Sequence, residues 1–385
     1  MNKNKKLGIN TTCVHVGEVK DEQFKGAVSP IYMSTSYAFD NVAIKRYPRY
    51  YNTPNQEMLC KKIAALENTE DALIFTSGMA AISSAMLAFL KHGDHVVIQQ
   101  VIYGGTYNFI VSEFEKYGIE YSFTESDKVE DFIPLIKKNT KILYIETPSN
   151  PLLGITDMQA IANVAKKHAI LTMIDNTFAS PINQNPYNFG IDIVIHSATK
   201  YMGGHSDISA GAVAASKAHI EQIWKTAINL GGNLSDQTVW LLERSLKTLN
   251  LRLKAQTENA QKMAAYLENS ADIDAVYYPG LQSHPQYNIA KKQMKGFGAM
   301  LSFELSSNID AMDFQRNLQL IKPSMSLAGL ESTTVSPAQT THALLSEEER
   351  LARGIKDGLI RFSVGIEEAE DLINDIEQAI KKAKK

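Results

Sequence analysis

Cysteine is almost missing from this chain: Cys13 and Cys60 are the only two among 385 residues, and neither stands in a CxxC spacing. A disulfide framework and a cysteine zinc centre are therefore not expected, no metal is assigned, and a reducing, cytoplasmic setting is. Charge of one sign is also lacking. Thirty-nine Lys and Arg against 42 Asp and Glu leave a formal charge of −3, which offers no footprint for nucleic acid or an anionic membrane. The N-terminal MNKNKKLGINTT is basic but has no apolar run of the kind a secretory signal needs. The longest uncharged stretch, Ala72 to Leu90, is interrupted by Thr76, Ser77, Gly78, Ser83 and Ser84, so it reads as strand, turn and buried helix rather than a membrane span. Also absent are GxGxxG after a strand, GxxxxGK[ST], GxSxG and HExxH, which removes support from dinucleotide, P-loop, hydrolase and zincin readings.

What is present is ordinary for a folded protein. Hydrophobic residues at 44%, charged residues at 21%, 22 Gly and 12 Pro exclude disorder and collagen-like repeats, and the length supports two or three domains. From residue 72, short β-branched runs alternate with helical stretches, a pattern of a mostly parallel sheet covered by helices. The strands are expected at Leu73–Phe75, His95–Ile98, Ile142–Ile145, Leu171–Ile174, Ile193–Ile195 and Ala210–Ala214, with helices at Met79–Lys91, Phe109–Tyr117, Val129–Lys138 and Met158–His168. After Ser235, an expected N-cap, a 3,4 apolar spacing runs from Val239 to Leu267 and predicts one long helix. Strand-like runs at Ala275–Tyr278, Ala299–Glu304 and Leu359–Val364 follow, then an amphipathic helix at Asp371–Lys381. The expected organisation is an extended arm over 1–46, a large α/β domain over 47–235, and a smaller α+β domain over 236–385 led by the long helix.

Polar residues gather at the C-terminal ends of the expected strands, where open α/β sheets hold their ligands. Thr76-Ser77-Gly78-Met79 follows a strand and opens a helix, so its free N–H groups suit either an ordinary turn or a phosphate. Asp175-Asn176-Thr177-Phe178 puts a carboxylate at the end of a buried strand, where it must be paired. Its partner is a cap or basic side chain on one reading, and a cationic ring nitrogen of a cofactor on the other. Ser197-Ala198-Thr199-Lys200-Tyr201 precedes Gly203-Gly204. A lysine desolvated there has its pKa lowered toward ~7–8, the state a Schiff-base nucleophile needs.

With Gly204-His205-Ser206-Asp207, these segments resemble the Cys/Met-metabolism group of pyridoxal-phosphate enzymes, which holds cystathionine synthases and lyases, methionine γ-lyase and acylhomoserine sulfhydrylases. The likeness extends along nearly the whole chain, through Tyr47-Pro48-Arg49, Tyr103-Gly104-Gly105-Thr106, Glu146-Thr147-Pro148-Ser149-Asn150-Pro151, Tyr278-Pro279-Gly280, Ser326-Leu327 to Glu331-Ser332, Thr341-His342 and Arg361-Phe362-Ser363. It implies an aspartate-aminotransferase-like large domain of fold type I and pyridoxal 5'-phosphate as cofactor. It also implies roles. Lys200 resembles the lysine that holds the cofactor and moves protons, and Asp175 the carboxylate that keeps the ring nitrogen protonated. Gly78, Met79, Ser197 and Thr199 resemble the phosphate site, joined by Tyr47 and Arg49 from a neighbouring subunit. Tyr103 resembles the tyrosine that stacks on the cofactor ring, while Arg361, Ser326 and Asn150 resemble the clamp for the substrate carboxylate. Glu331 matches a family glutamate equally readable as structural.

The resemblance implies elimination or replacement at the γ or β carbon of a sulfur amino acid or acylated homoserine, of cystathionine γ-synthase/γ-lyase type. The alternatives are a methionine γ-lyase, an acylhomoserine sulfhydrylase, an aminotransferase of the same fold, or a non-catalytic regulator that binds the cofactor. A dimer that completes the site, and a tetramer, are implied. Two departures bear on substrate: Gly105 stands where methionine γ-lyases carry cysteine, and Arg46 where an acidic residue usually precedes the Tyr47 position. A cation at 46 would repel a substrate ammonium.

Overall fold

A computed structural model describes residues 7–340 and 346–384; Thr341 and His342 lie outside the described residues. The β-branched runs form seven strands: β1 (Asp71–Phe75), β2 (His95–Ile98), β3 (Glu120–Phe123), β4 (Thr140–Glu146), β5 (Leu171–Asp175), β6 (Ile193–His196) and β7 (Gly211–Ala215). They make one sheet in the order β1-β7-β6-β5-β4-β2-β3. Its centre is parallel, and only β7 runs against its neighbours β1 and β6.

A strand presents alternate residues to opposite faces, and here both faces are apolar and covered. Ile142 and Tyr144 of β4 pack on one side with Ile82, Ala85, Ile110, Ile220 and Ile223, residues of the helices Gly78–Phe89, Gly104–Glu113 and Lys217–Leu230. Leu143 and Ile145 pack on the other with Ile161 and Ala165 of the helix Met158–His168. Such double burial explains why these strands read as continuous apolar runs. It also leaves only the strand ends for polar side chains.

The second sheet comprises β8 (Ile273–Tyr277), β9 (Met300–Leu305), β10 (Lys322–Pro323), β11 (Thr333–Val335) and β12 (Leu359–Ser363), ordered β10-β11-β12-β9-β8. Phe303 and Ile360 share a buried cluster with Leu253 and Met263 of the helix Leu249–Glu268 and Leu372 and Ile376 of the helix Ala369–Ala383. Arg361 lies on β12 and is carried by this sheet to the main one.

The structure corrects several expectations. The long helix is two, Asp236–Leu246 and Leu249–Glu268. Thr248, at φ −105° and ψ 6°, leaves helical geometry, and the guanidinium of Arg252 takes the Ser245 carbonyl at 3.1 Å and those of Tyr201 and Met202 at 2.9 and 3.4 Å. The break thus ties the helices to the chain just after Lys200. Ser235 precedes the first of them, but its hydroxyl meets Thr238 Oγ1 rather than a backbone N–H. Val129–Lys138 forms two 3₁₀ turns instead of a helix, since Pro134 removes a donor and clashes with a preceding turn. Strands β3, β10 and β11 were not expected. Within the arm, Ile9–His15 is a short helix, and irregular chain follows as far as Tyr47.

Candidate active site

The C-terminal ends of β1, β4, β5 and β6 and the side of β12 enclose a cavity of about 440 Å³. Gly78, Met79, Tyr103, Asn150, Asp175, Ser197, Thr199, Lys200, Ser326 and Arg361 all line it. At its floor, the turn after β1 enters the helix Gly78–Phe89. Ser77 caps that helix by accepting the Ala80 N–H at 3.1 Å, and the N–H groups of Gly78 and Met79 are in the first turn, where the helix itself supplies no acceptor. A Cβ on Gly78 would stand 2.8 Å from Ser197 Cβ. Only glycine lets the two loops approach so closely.

Asp175 ends β5 and is 6% exposed. Its Oδ1 accepts the Thr177 N–H at 3.0 Å, and Thr177 Oγ1 in turn accepts the Ser197 N–H at 2.8 Å, so one threonine links both loops. Burial pushes the Asp175 carboxyl up from its ordinary pKa, and no basic side chain forms an ion pair with it among the described residues. Behind it, His196 Nε2 and Glu67 Oε1 are 2.5 Å apart, and Glu67 also accepts from Asn176 at 3.0 Å.

Lys200 projects from the loop after β6, where its backbone N–H bonds the Ser197 carbonyl at 3.0 Å. Burial, then the nearby Arg361 charge, lowers its pKa. Arg361 is 3% exposed; its guanidinium donates to Asn150 Oδ1 at 3.1 Å and the Met325 carbonyl at 3.3 Å. Burial lowers its pKa to about 10, so it remains a cation at neutral pH. Among the described residues no carboxylate pairs with it. A planar fork held on two neutral oxygens retains donors for an incoming carboxylate.

Thr199 lines the cavity, but its hydroxyl donates to the Ala210 carbonyl at 3.1 Å and accepts the Ala210 N–H at 2.9 Å. Its proton is engaged in holding the loop. Tyr47 and Arg49 do not line the cavity: both are exposed, and the Arg49 guanidinium bonds the Ile228 carbonyl and lies 5.8 and 5.4 Å from the Tyr47 and Tyr50 ring centres. Glu331 is exposed and outside it. Arg46, expected as a cation facing substrate, pairs with Glu57 at 3.0 Å and bonds the Asn52 carbonyl. The charge that would repel an ammonium is matched within the chain.

Sequence reasoning gave no role to Glu146 or Thr177. Glu146 ends β4 directly beside Asp175, and the signal was the same as for Asp175: an acidic residue closing a buried apolar run.

A sequence model of the Cys/Met metabolism PLP-dependent enzymes matches residues 10–381. The chain belongs to that family: it is a fold-type-I enzyme of trans-sulfuration with pyridoxal phosphate as its cofactor. Among its relatives, a cystathionine β-lyase of Lactococcus lactis is 43% identical over 378 residues, 97% of this chain and 99% of that one. A cystathionine γ-lyase of Bacillus subtilis is 44% identical over 374 residues, covering 96% and 98%. The crystal structure of a cystathionine γ-lyase from Lactobacillus plantarum complexed with L-serine superposes with a TM-score of 0.94 at 38% identity, covering 98% and 99% of the two chains.

Proposed function

We propose that this enzyme cleaves a carbon–sulfur bond of cystathionine at the γ carbon, with γ-replacement by the same machinery where an acylated homoserine is the substrate. The observation that carries the reading is one cavity with three groups that form no ion pair among the described residues: the buried carboxyl of Asp175, the desolvated amine of Lys200, and the buried guanidinium of Arg361. Each fits a part of pyridoxal phosphate or its amino-acid partner. The carboxylate suits a protonated ring nitrogen, the amine suits an aldehyde, and Arg361 suits an α-carboxylate. The free N–H groups beside Gly78 suit a phosphate, and a side chain at 78 would fill that cradle. The bound cofactor supplies an electron sink for charge developing on substrate carbons.

The chain's own residues do the rest. Asp175 would hold a proton on the cofactor's ring nitrogen. Arg361, steadied by Asn150, orients the substrate by its carboxylate. Lys200, whose amine burial favours in its neutral form, takes the α-proton and returns protons to neighbouring carbons. Tyr103, at the mouth and 46% exposed, would cover the cofactor ring and assist the leaving group. Ser197, and Ser326 near Met325, add hydroxyls to the phosphate and carboxylate ends respectively.

The methionine-degrading alternative is disfavoured at Gly105, where a Cβ would stand 2.5 Å from Tyr103 Cε1. A cysteine there requires a different tyrosine position. We further propose that a second copy contributes Tyr47 and Arg49, which lie outside the cavity of their own chain, and that Phe24, Met33 and Phe39, all more than 70% exposed, are covered in that assembly. Four copies in a reducing compartment complete this reading; among the described residues no helix is long and apolar enough to cross a membrane. The test is incubation of the cofactor-loaded protein with L-cystathionine. Formation of 2-oxobutyrate and cysteine supports γ cleavage. Pyruvate with homocysteine moves the reaction to the β carbon, and no keto acid with cystathionine overturns the lyase reading.

A further inference from the structure

Glu146 is 4% exposed and sits at the end of β4, its Cα in register with that of Asp175 on β5. Two acids side by side in a water-poor site are costly unless each is bonded. Glu146 has no cationic partner among the described residues, yet both of its oxygens are used. Oε2 accepts the backbone N–H of Tyr103 at 2.7 Å, and Oε1 accepts that of Asn150 at 3.2 Å. Asn150 then accepts from the Arg361 guanidinium through Oδ1. Glu146 is itself braced: its N–H donates to Gln99 Oε1 at 3.1 Å and its carbonyl accepts from Gln99 Nε2 at 3.0 Å.

We propose that Glu146 is a positioning residue: one carboxylate that sets Tyr103 at one wall of the cavity and, through Asn150, Arg361 at the other. The proposal rests on the roles given to those three residues above. A carboxylate suits the task because it offers an acceptor at each end, whereas an amide offers one. The groups facing it act in opposite directions on its proton. Burial first, then the Asp175 and Asp127 carboxylates, push its carboxyl well above the ordinary range, and the two backbone donors, one on each oxygen, oppose that shift by favouring the anion; Tyr144 is a further ionisable neighbour.

The decisive variant is E146Q, which keeps the shape but turns one acceptor into an NH₂ group facing an N–H donor. One of the two loops must lose its anchor. The cofactor-loaded protein is titrated with glycine, an amino acid with no leaving group, and the visible absorbance and circular dichroism of the bound cofactor are followed. The glycine dissociation constant is expected to rise about tenfold, on the scale of one lost charge-assisted hydrogen bond, and the visible dichroism to change. With L-cystathionine, KM should rise more than kcat falls. E146D, which retains two acceptors one methylene short, should recover part of the loss and carries the same comparison if E146Q does not fold. R361A runs alongside. If R361A weakens glycine binding while the Glu146 variants match wild type, the positioning role is overturned. If R361A also matches wild type, the clamp assigned to Arg361 is wrong, and Glu146's role with it.

Discussion

Gly105→Ala separates stability from activity at a single position. Gly105 lies in the first turn of the helix Gly104–Glu113, and exchanging glycine for alanine inside a helix contributes about 0.5–1 kcal/mol to stability through reduced freedom of the unfolded chain. The new methyl would, however, stand 2.5 Å from Cε1 and 3.0 Å from Cζ of Tyr103, and 3.2 Å from Met79 Sδ. Ordinary carbon contacts are about 3.5–4.0 Å, so the ring must swing by about 1 Å. Its mouth position leaves room for that, which is why the fold survives. The hydroxyl and ring face are then out of register with the site, and a misplacement of about 1 Å costs up to roughly 100-fold in rate. Expected together are a denaturation midpoint at or above wild type, a kcat/KM reduced at least tenfold, and altered visible dichroism of the cofactor. The measurements are urea denaturation, steady-state kinetics with L-cystathionine, and the dichroism spectrum. Wild-type kcat/KM with an unchanged spectrum would refute the claim that Tyr103 works from the position seen here. A clear drop in midpoint would show that the clash passes into the backbone instead.

Three further outcomes are expected. Lys200→Ala should abolish turnover while leaving far-ultraviolet dichroism unchanged, and normal activity would sink the proton-transfer role. Arg49→Ala should raise the dissociation constant for pyridoxal phosphate, measured by fluorescence on the cofactor-free protein; unchanged affinity would remove Arg49 from the phosphate site. Asp127 is a buried carboxyl whose pKa is raised to about 6 by burial, against 3.8 ordinarily. A folded-state pKa above the unfolded one means the native protein binds the extra proton, so stability falls as pH rises from 3.8 to about 6 and the full penalty persists above it. Asp127→Asn keeps an acceptor for Gln99, bonded at 2.8 Å, and should stabilise the protein at pH 7 by up to about 3 kcal/mol with a smaller gain at pH 4. An equal effect at both pH values would contradict this account.

The fold and the site were legible for the same reason. Strands buried on both faces are largely apolar, so β2, β4, β5 and β6 appeared as apolar runs, Thr172 of β5 apart, and the polar residues that follow each run marked the strand end. Asp175, Ser197 and Lys200 were found that way. Elements missed were those whose cause lies elsewhere in space. The apolar spacing through Leu246, Leu249 and Leu253 continues across the Lys247–Thr248 break, which Arg252 stabilises by binding carbonyls some 50 residues earlier in the chain. Strand β10 has two residues and β11 three, too few to show a period. Arg46 looked like a free charge because its partner Glu57 belongs to the next helix.

The two acids that close β4 and β5 show where reading by residue type stops. Both are acidic, buried and at the same level of the sheet, and on composition alone they are equivalent. Their bonds make them different. Among the described residues Asp175 accepts from Thr177, two residues along its own chain, through both its backbone N–H and its hydroxyl, and its carboxyl lines the cavity. Glu146, which also lines the cavity, spends an acceptor of each oxygen on the backbone of two separate loops. An acid bonded only at its own strand end is suited to contact a cofactor, and one that bridges two loops is suited to hold in place the residues that do. Substituting an amide tests that distinction directly: at 175 an amide loses charge against a cationic ring, whereas at 146 it loses an anchor and leaves the ring's charge partner untouched.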